Sequence, residues 1–186
     1  MRVFLFCLSF FVSSIALSQS TKSYGSAKFP TNIEVGKETL ELNGGGVREK
    51  YWMDLYAAAL YVGKKTEEPG KIVYADAEQA IHNKIISNNV TRERFIEAVK
   101  EGFENTSHGK ATDSEIKKII SFLSEEFKIG DKIYLEYIPD KGVQVKKNGS
   151  IKGTIPGLEF KKALFSIWLG SRPADENLKK GMLGKH

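Results

Sequence analysis

Arg48 follows three consecutive glycines in ELNGGGVREKYWMDLYAAALYVG (Glu41–Gly63), and two tyrosines, Tyr56 and Tyr61, stand in the apolar run behind it. Glycines permit positive φ and close backbone approach, so Gly44–Gly46 predict a tight turn. Arg48 then opens a strand and faces either solvent or the space between a sheet and its covering helices. An inward guanidinium would be costly unless a carboxylate or an anionic ligand met it. Its planar fork suits a carboxylate through two hydrogen bonds. Tyr56, Ala58 and Leu60 share one face of the following strand, and Ala57, Ala59 and Tyr61 share the other. Alanines leave room, and a buried tyrosine brings a hydroxyl that needs a partner. These residues together make a plausible site for a molecule with an anionic head and an apolar body. The alternative is a surface ion pair of Arg48 with Glu49 or Glu34, and plain sheet–helix packing at the alanines.

Other chemistries find little support. The histidines are His82, His108 and His186, without metal-ligand spacing, so neither a metal nor another cofactor is expected. His82, in an alternating stretch, reads as a surface residue. The glycines are not followed by the Gly-Lys-Ser/Thr of a phosphate loop, and Glu49 stands where a dinucleotide fingerprint needs its third glycine. Carboxylates are interspersed with lysines, as on a solvated face.

The elements that must position Arg48 and Tyr56 follow from periodicity. NIEVGKETLELNG alternates around Gly36-Lys37 and predicts a hairpin. Val47–Tyr51 and Leu55–Val62 read as two further strands, and Ala80–Ser87 as another. Thr91 caps a predicted helix whose Phe95, Ile96, Val99 and Phe103 recur at spacings of three and four. Thr112 and Glu115 form a capping box ahead of a second helix. Period two returns in KIYLEYIP and in GVQVKKNGSIKGTIP, a meander with an Asn-Gly turn, and Leu158–Leu169 reads as a late helix. Strands, two helices, strands and helices predict an α+β domain with helices over one face of an antiparallel sheet.

The amino terminus has a different character. A positive end at Met1-Arg2, an apolar run over Val3–Leu17 and small residues before Gln19 have the pattern of a secretory signal peptide cut after Ser18. A periplasmic or secreted protein is therefore expected, without stable membrane insertion because the run is short of a bilayer span. The sole cysteine, Cys7, lies in this segment, so an exported chain would carry no thiol. Residues 19–28 read as a flexible leader, and 29–186 as one domain. The net charge of +5 is spread along the chain, which argues against a nucleic-acid partner.

LNGGGVR (42–48), YAAALYVG (56–63), GTIPGLEFKKALFSIWLG (153–170) and, after Pro173, LKKGMLG (178–184) resemble the bacterial chalcone isomerase-like proteins. The resemblance implies an open-faced β-sandwich in which a large antiparallel sheet is covered by helices with a ligand cleft between. Such families contain plant enzymes that cyclise chalcones to flavanones and non-catalytic relatives that bind fatty acids. In both, the arginine after the glycines meets an anion, and Arg48 matches it. Tyr56 matches the position of the plant threonine and resembles the tyrosine of the fatty-acid binders. A tyrosine and an asparagine of the plant enzymes correspond to Phe95 and Gly102, which cannot supply their hydrogen bonds. Ser166 matches a late plant hydroxyl. The resemblance thus implies a fatty acid or similar amphiphile as partner, with Arg48 and Tyr56 on the head group; Tyr61, Phe95, Val99 and Ser166 are also expected at the site. Leu164 and Trp168 would wall the tail. The alternative is an intramolecular lyase that uses Arg48 to stabilise an oxyanion.

Overall fold

The structure, a computed structural model, describes residues 20–185. The signal-peptide segment lies outside the described residues. A small hairpin, β1 (Thr21–Tyr24) and β2 (Ala27–Pro30), comes first. Then β3 (Asn32–Val35), β4 (Glu38–Lys50), β5 (Met53–Val62), β6 (Gln79–Ile85), β7 (Lys132–Ile138), β8 (Gly142–Lys147) and β9 (Ser150–Ile155) form a seven-stranded sheet in sequence order. Every neighbouring pair is antiparallel. Helix α1 (Pro69–Val73) links β5 to β6, and α2 (Arg92–Glu104) and α3 (Asp113–Phe122) lie between β6 and β7. α4 (Leu158–Leu169) and α5 (Glu176–Met182) end the chain. The α+β architecture follows the expected order, including the Thr91 cap on α2 and the Thr112–Glu115 capping box on α3. No helix among the described residues is long and apolar enough to cross a membrane.

The two faces of the sheet bury different sets. Ala58, Leu60, Ile81, Leu135 and Val145 pack against the helices, with α4 central and buried along most of its length. Ala57, Ala59, Tyr61 and Ala80 face the other way and are covered by Ala27 and Phe29 of the β1–β2 hairpin. Residues 21–28 of the segment expected as a leader are therefore part of the folded domain, in a hairpin that closes the outer face with Ala27 and the adjoining Phe29.

The glycines also differ from expectation. They make no turn: Gly44, Gly45 and Gly46 lie within β4, and Val47–Lys50 continues that strand. The connection to β5 is Tyr51-Trp52, both at positive φ (54° and 61°), the left-handed pair that a two-residue hairpin turn requires. Both rings project into solvent, Tyr51 74% and Trp52 98% exposed. The glycines instead allow close approach on both sides of the strand. A Cβ on Gly44 would lie 2.2 Å from the Gly181 carbonyl oxygen of α5, and one on Gly45 would lie 2.5 Å from the ring of Tyr24.

Candidate functional site

Asn43 decides which way Arg48 points. Leu42 pairs with Tyr61 and Gly44 with Leu60, so Asn43 is an extra residue on β4, a bulge. Without it, the alternation that puts Leu40 and Leu42 on the outer face would carry Arg48 there too. With it, the later even-numbered positions turn to the helix face and Arg48 comes to line a cavity under α2 and α4. The bulge is held by the Asn43 carboxamide, which donates to the carbonyls of Met182 (2.8 Å) and Thr66 (3.1 Å) and accepts from the Thr66 N–H (2.8 Å).

Arg48 is 8% exposed, and no carboxylate forms an ion pair with it among the described residues. It sits opposite Tyr56 in the β4–β5 register, and its charge acts on the Tyr56 hydroxyl oxygen. Trp168 Nε1 of α4 donates to the same oxygen at 3.0 Å. Burial raises the Tyr56 pKa against the opposing pull of Arg48 and Trp168, so the group remains a hydroxyl at neutral pH. Its oxygen accepts from the Trp168 indole, and its own proton has no acceptor among the described residues. Asp175 acts on Tyr56 electrostatically, but its oxygens accept from the backbone N–H groups of Leu178 (2.8 Å) and Glu49 (3.2 Å), capping α5. Arg48 and Tyr56 thus present unused donors to the cavity.

The cavity measures about 330 Å³, within the range of roughly 300–1,000 Å³ usual for small-molecule sites. Phe95, Val99, Leu164 and Trp168 line it, with Phe95 against Phe127 at 4.8 Å between ring centroids. An apolar wall with two donors at one place suits an amphiphile with an anionic end.

Two residues expected at the site lie elsewhere. Tyr61 is on the outer face, where its hydroxyl donates to the Pro30 carbonyl at 3.0 Å, because β5 alternation sends it opposite to Tyr56. Ser166 faces away from the cavity, its hydroxyl donating to the Lys162 carbonyl one turn back at 2.8 Å. Gly102 supplies no group and has no room for one, since an added Cβ would lie 2.9 Å from Ile167 Cγ2.

Three polar features escaped the sequence reading. Asn83 is buried and lines the cavity; an amide at the same parity as Ile81 and Ile85 was the available signal. Lys161, near the amino-terminal end of α4, donates to the carbonyls of Ile72, Val73 and Ala75, and burial pushes its amine down to about 7. His82, expected at the surface, is buried on the outer face because the rings of Tyr61 and Tyr134 flank it. Its Nε2 lies 3.3 Å from Glu136 Oε1, and its ring stacks on Tyr134 at 3.9 Å.

A chalcone isomerase-like family model matches residues 21–184. The chain belongs to that family. Among solved structures it is similar to the Arabidopsis thaliana fatty-acid binding protein AtFAP1, with a TM-score of 0.70 and 18% identity over 88% of this chain and 96% of that one. At that identity the likeness concerns the fold. No curated protein sequence matches the chain.

Proposed function

We propose that this domain binds a fatty acid or a similar anionic amphiphile without chemically altering it. Arg48 and the Tyr56 hydroxyl take the head group, and Phe95, Val99, Leu164 and Trp168 enclose the tail. One observation carries this reading: a buried guanidinium without an acid partner, beside a tyrosine proton without an acceptor, at an apolar cavity. A carboxylate satisfies both at once. The similar Arabidopsis protein is a fatty-acid binder, which supports the same ligand class. The apolar amino-terminal run supports a periplasmic or secreted location.

The same guanidinium would stabilise an oxyanion in a cyclising enzyme. Phe95 and Gly102, however, give a phenolic substrate nothing to orient it.

Native mass spectrometry of the purified protein, with extraction and identification of its cargo, tests the proposal. A retained fatty acid is expected, and Arg48→Ala should weaken dodecanoate binding by about 2 kcal/mol, roughly thirtyfold, the worth of a charge-assisted hydrogen-bonded contact. Undiminished affinity in that variant would reject the head-group assignment.

A further inference from the structure

The inner face of β6 carries Ile81, Asn83 and Ile85, two core aliphatics with an amide between them. Asn83 is 7% exposed, and its Oδ1 has no hydrogen-bond partner. No described residue hydrogen-bonds to either end of its carboxamide. Two other buried polar atoms share this condition, Tyr24 Oη and Gln79 Oε1, but only Asn83 lines the cavity with Arg48 and Tyr56.

An unpaired buried amide is unfavourable, and where a native protein retains one, a water or a ligand commonly completes it. The register gives its place relative to the head-group site. Tyr56 is opposite Ile85, and Ala58 is opposite Asn83. Asn83 is therefore diagonal to Tyr56, a separation of roughly 7–8 Å between such backbone positions. It lies two residue pairs further from the Tyr51-Trp52 turn, the next position on the same face. Its cross-strand neighbours on this face are Ala58 and Ile133, and neither offers a polar group.

Resting on the head-group reading above, we propose that Asn83 selects amphiphiles with a hydroxyl within a few carbons of the anionic head, a 3-hydroxy fatty acid being the simplest. A carboxamide both donates and accepts, as does a hydroxyl, so the pair match in either rotamer of the amide. A plain acyl chain at the same place would strip the amide of water and return nothing. Sites built to hydrogen-bond a hydroxyl discriminate strongly against the analogue that lacks it, because their own polar group is then left unpaired.

Calorimetric titration of the purified protein with dodecanoate and with 3-hydroxydodecanoate decides the matter. The wild-type protein should bind the hydroxylated probe about tenfold more tightly, the scale of one net hydrogen bond. Asn83→Leu should abolish that preference and bind dodecanoate at least as well as wild type. Equal wild-type affinities for the two probes would overturn the selection by Asn83 while leaving the head-group site standing, provided Arg48→Ala weakens both. A preference that survives in Asn83→Leu would overturn the assignment to this residue. If neither probe binds wild type, the head-group reading falls and this inference falls with it. The wild-type comparison needs no variant, so a poorly folded Asn83→Leu would not leave the question open.

Discussion

On the outer face of the sheet, Glu136 stands between His82 and Lys146, with oxygens 3.3 Å and 2.5 Å from their nitrogens, and Tyr134 covers the imidazole. On the inner face, Arg48 and Asn83 are about as deeply buried, yet neither has a counterpart of this kind, and a cavity opens beside them. The outer cluster is internally complete and has the properties of structure: burial opposes the charge of Glu136, but His82 and Lys146 outweigh it and hold the carboxyl below its ordinary range. The inner groups have no such partners among the described residues, and the proposed function assigns that part to a ligand. Burial is common to both faces, so it is pairing that separates a packed polar core from a ligand site.

The sharpest way to break this comparison is Glu136→Ala, which leaves the outer cluster with an unmatched lysine. It should cost about 3 kcal/mol in denaturant unfolding, with affinity for dodecanoate unchanged. Loss of binding at full stability would reverse the roles of the two faces. A smaller effect of opposite sign is expected on the inner face: Arg48→Met removes an unmatched buried cation and should raise unfolding stability by about 1 kcal/mol. Destabilisation there would mean that Arg48 already has a structural partner. The smallest effect is a dependence on acidity. Burial holds the His82 imidazole below its ordinary 6.5, so as pH falls through that value the unfolded chain takes up a proton that the native state refuses. Stability should therefore fall between pH 7 and 5, and His82→Gln should flatten the slope of the thermal midpoint. The loss due to Glu136 comes lower, as pH falls below the ordinary carboxylate value of 4.5. An unaltered slope in the variant would place the acid sensitivity elsewhere.

Most elements of the inner layer were legible in the sequence, because the helices have strong start signals and a sustained apolar face. Arg48 was legible as the candidate cation, but the reason it points inward was not. The glycine triplet suggested a turn, whereas the orientation comes from Asn43, a polar residue whose bulge is fixed by carbonyls that follow 23 and 139 residues later in the chain. Local sequence cannot contain that contact. The hairpin over 21–30 was missed for a related reason: its strands are only four residues each, and its burial depends on small residues of β5 far along the chain. Tyr61 was placed at the site although β5 alternation already put it opposite to Tyr56.

Trp52 and Trp168 are the two tryptophans of the chain. The first stands in water at the tip of the β4–β5 turn; the second is 8% exposed and is wired through its indole N–H to the Tyr56 hydroxyl. Their surroundings are opposite, so their emission separates. Iodide can darken the exposed indole and leave the shielded one shining. The light that survives the quencher then comes from the wall of the cavity itself, and the native chain carries its own optical gauge of whether the site is filled.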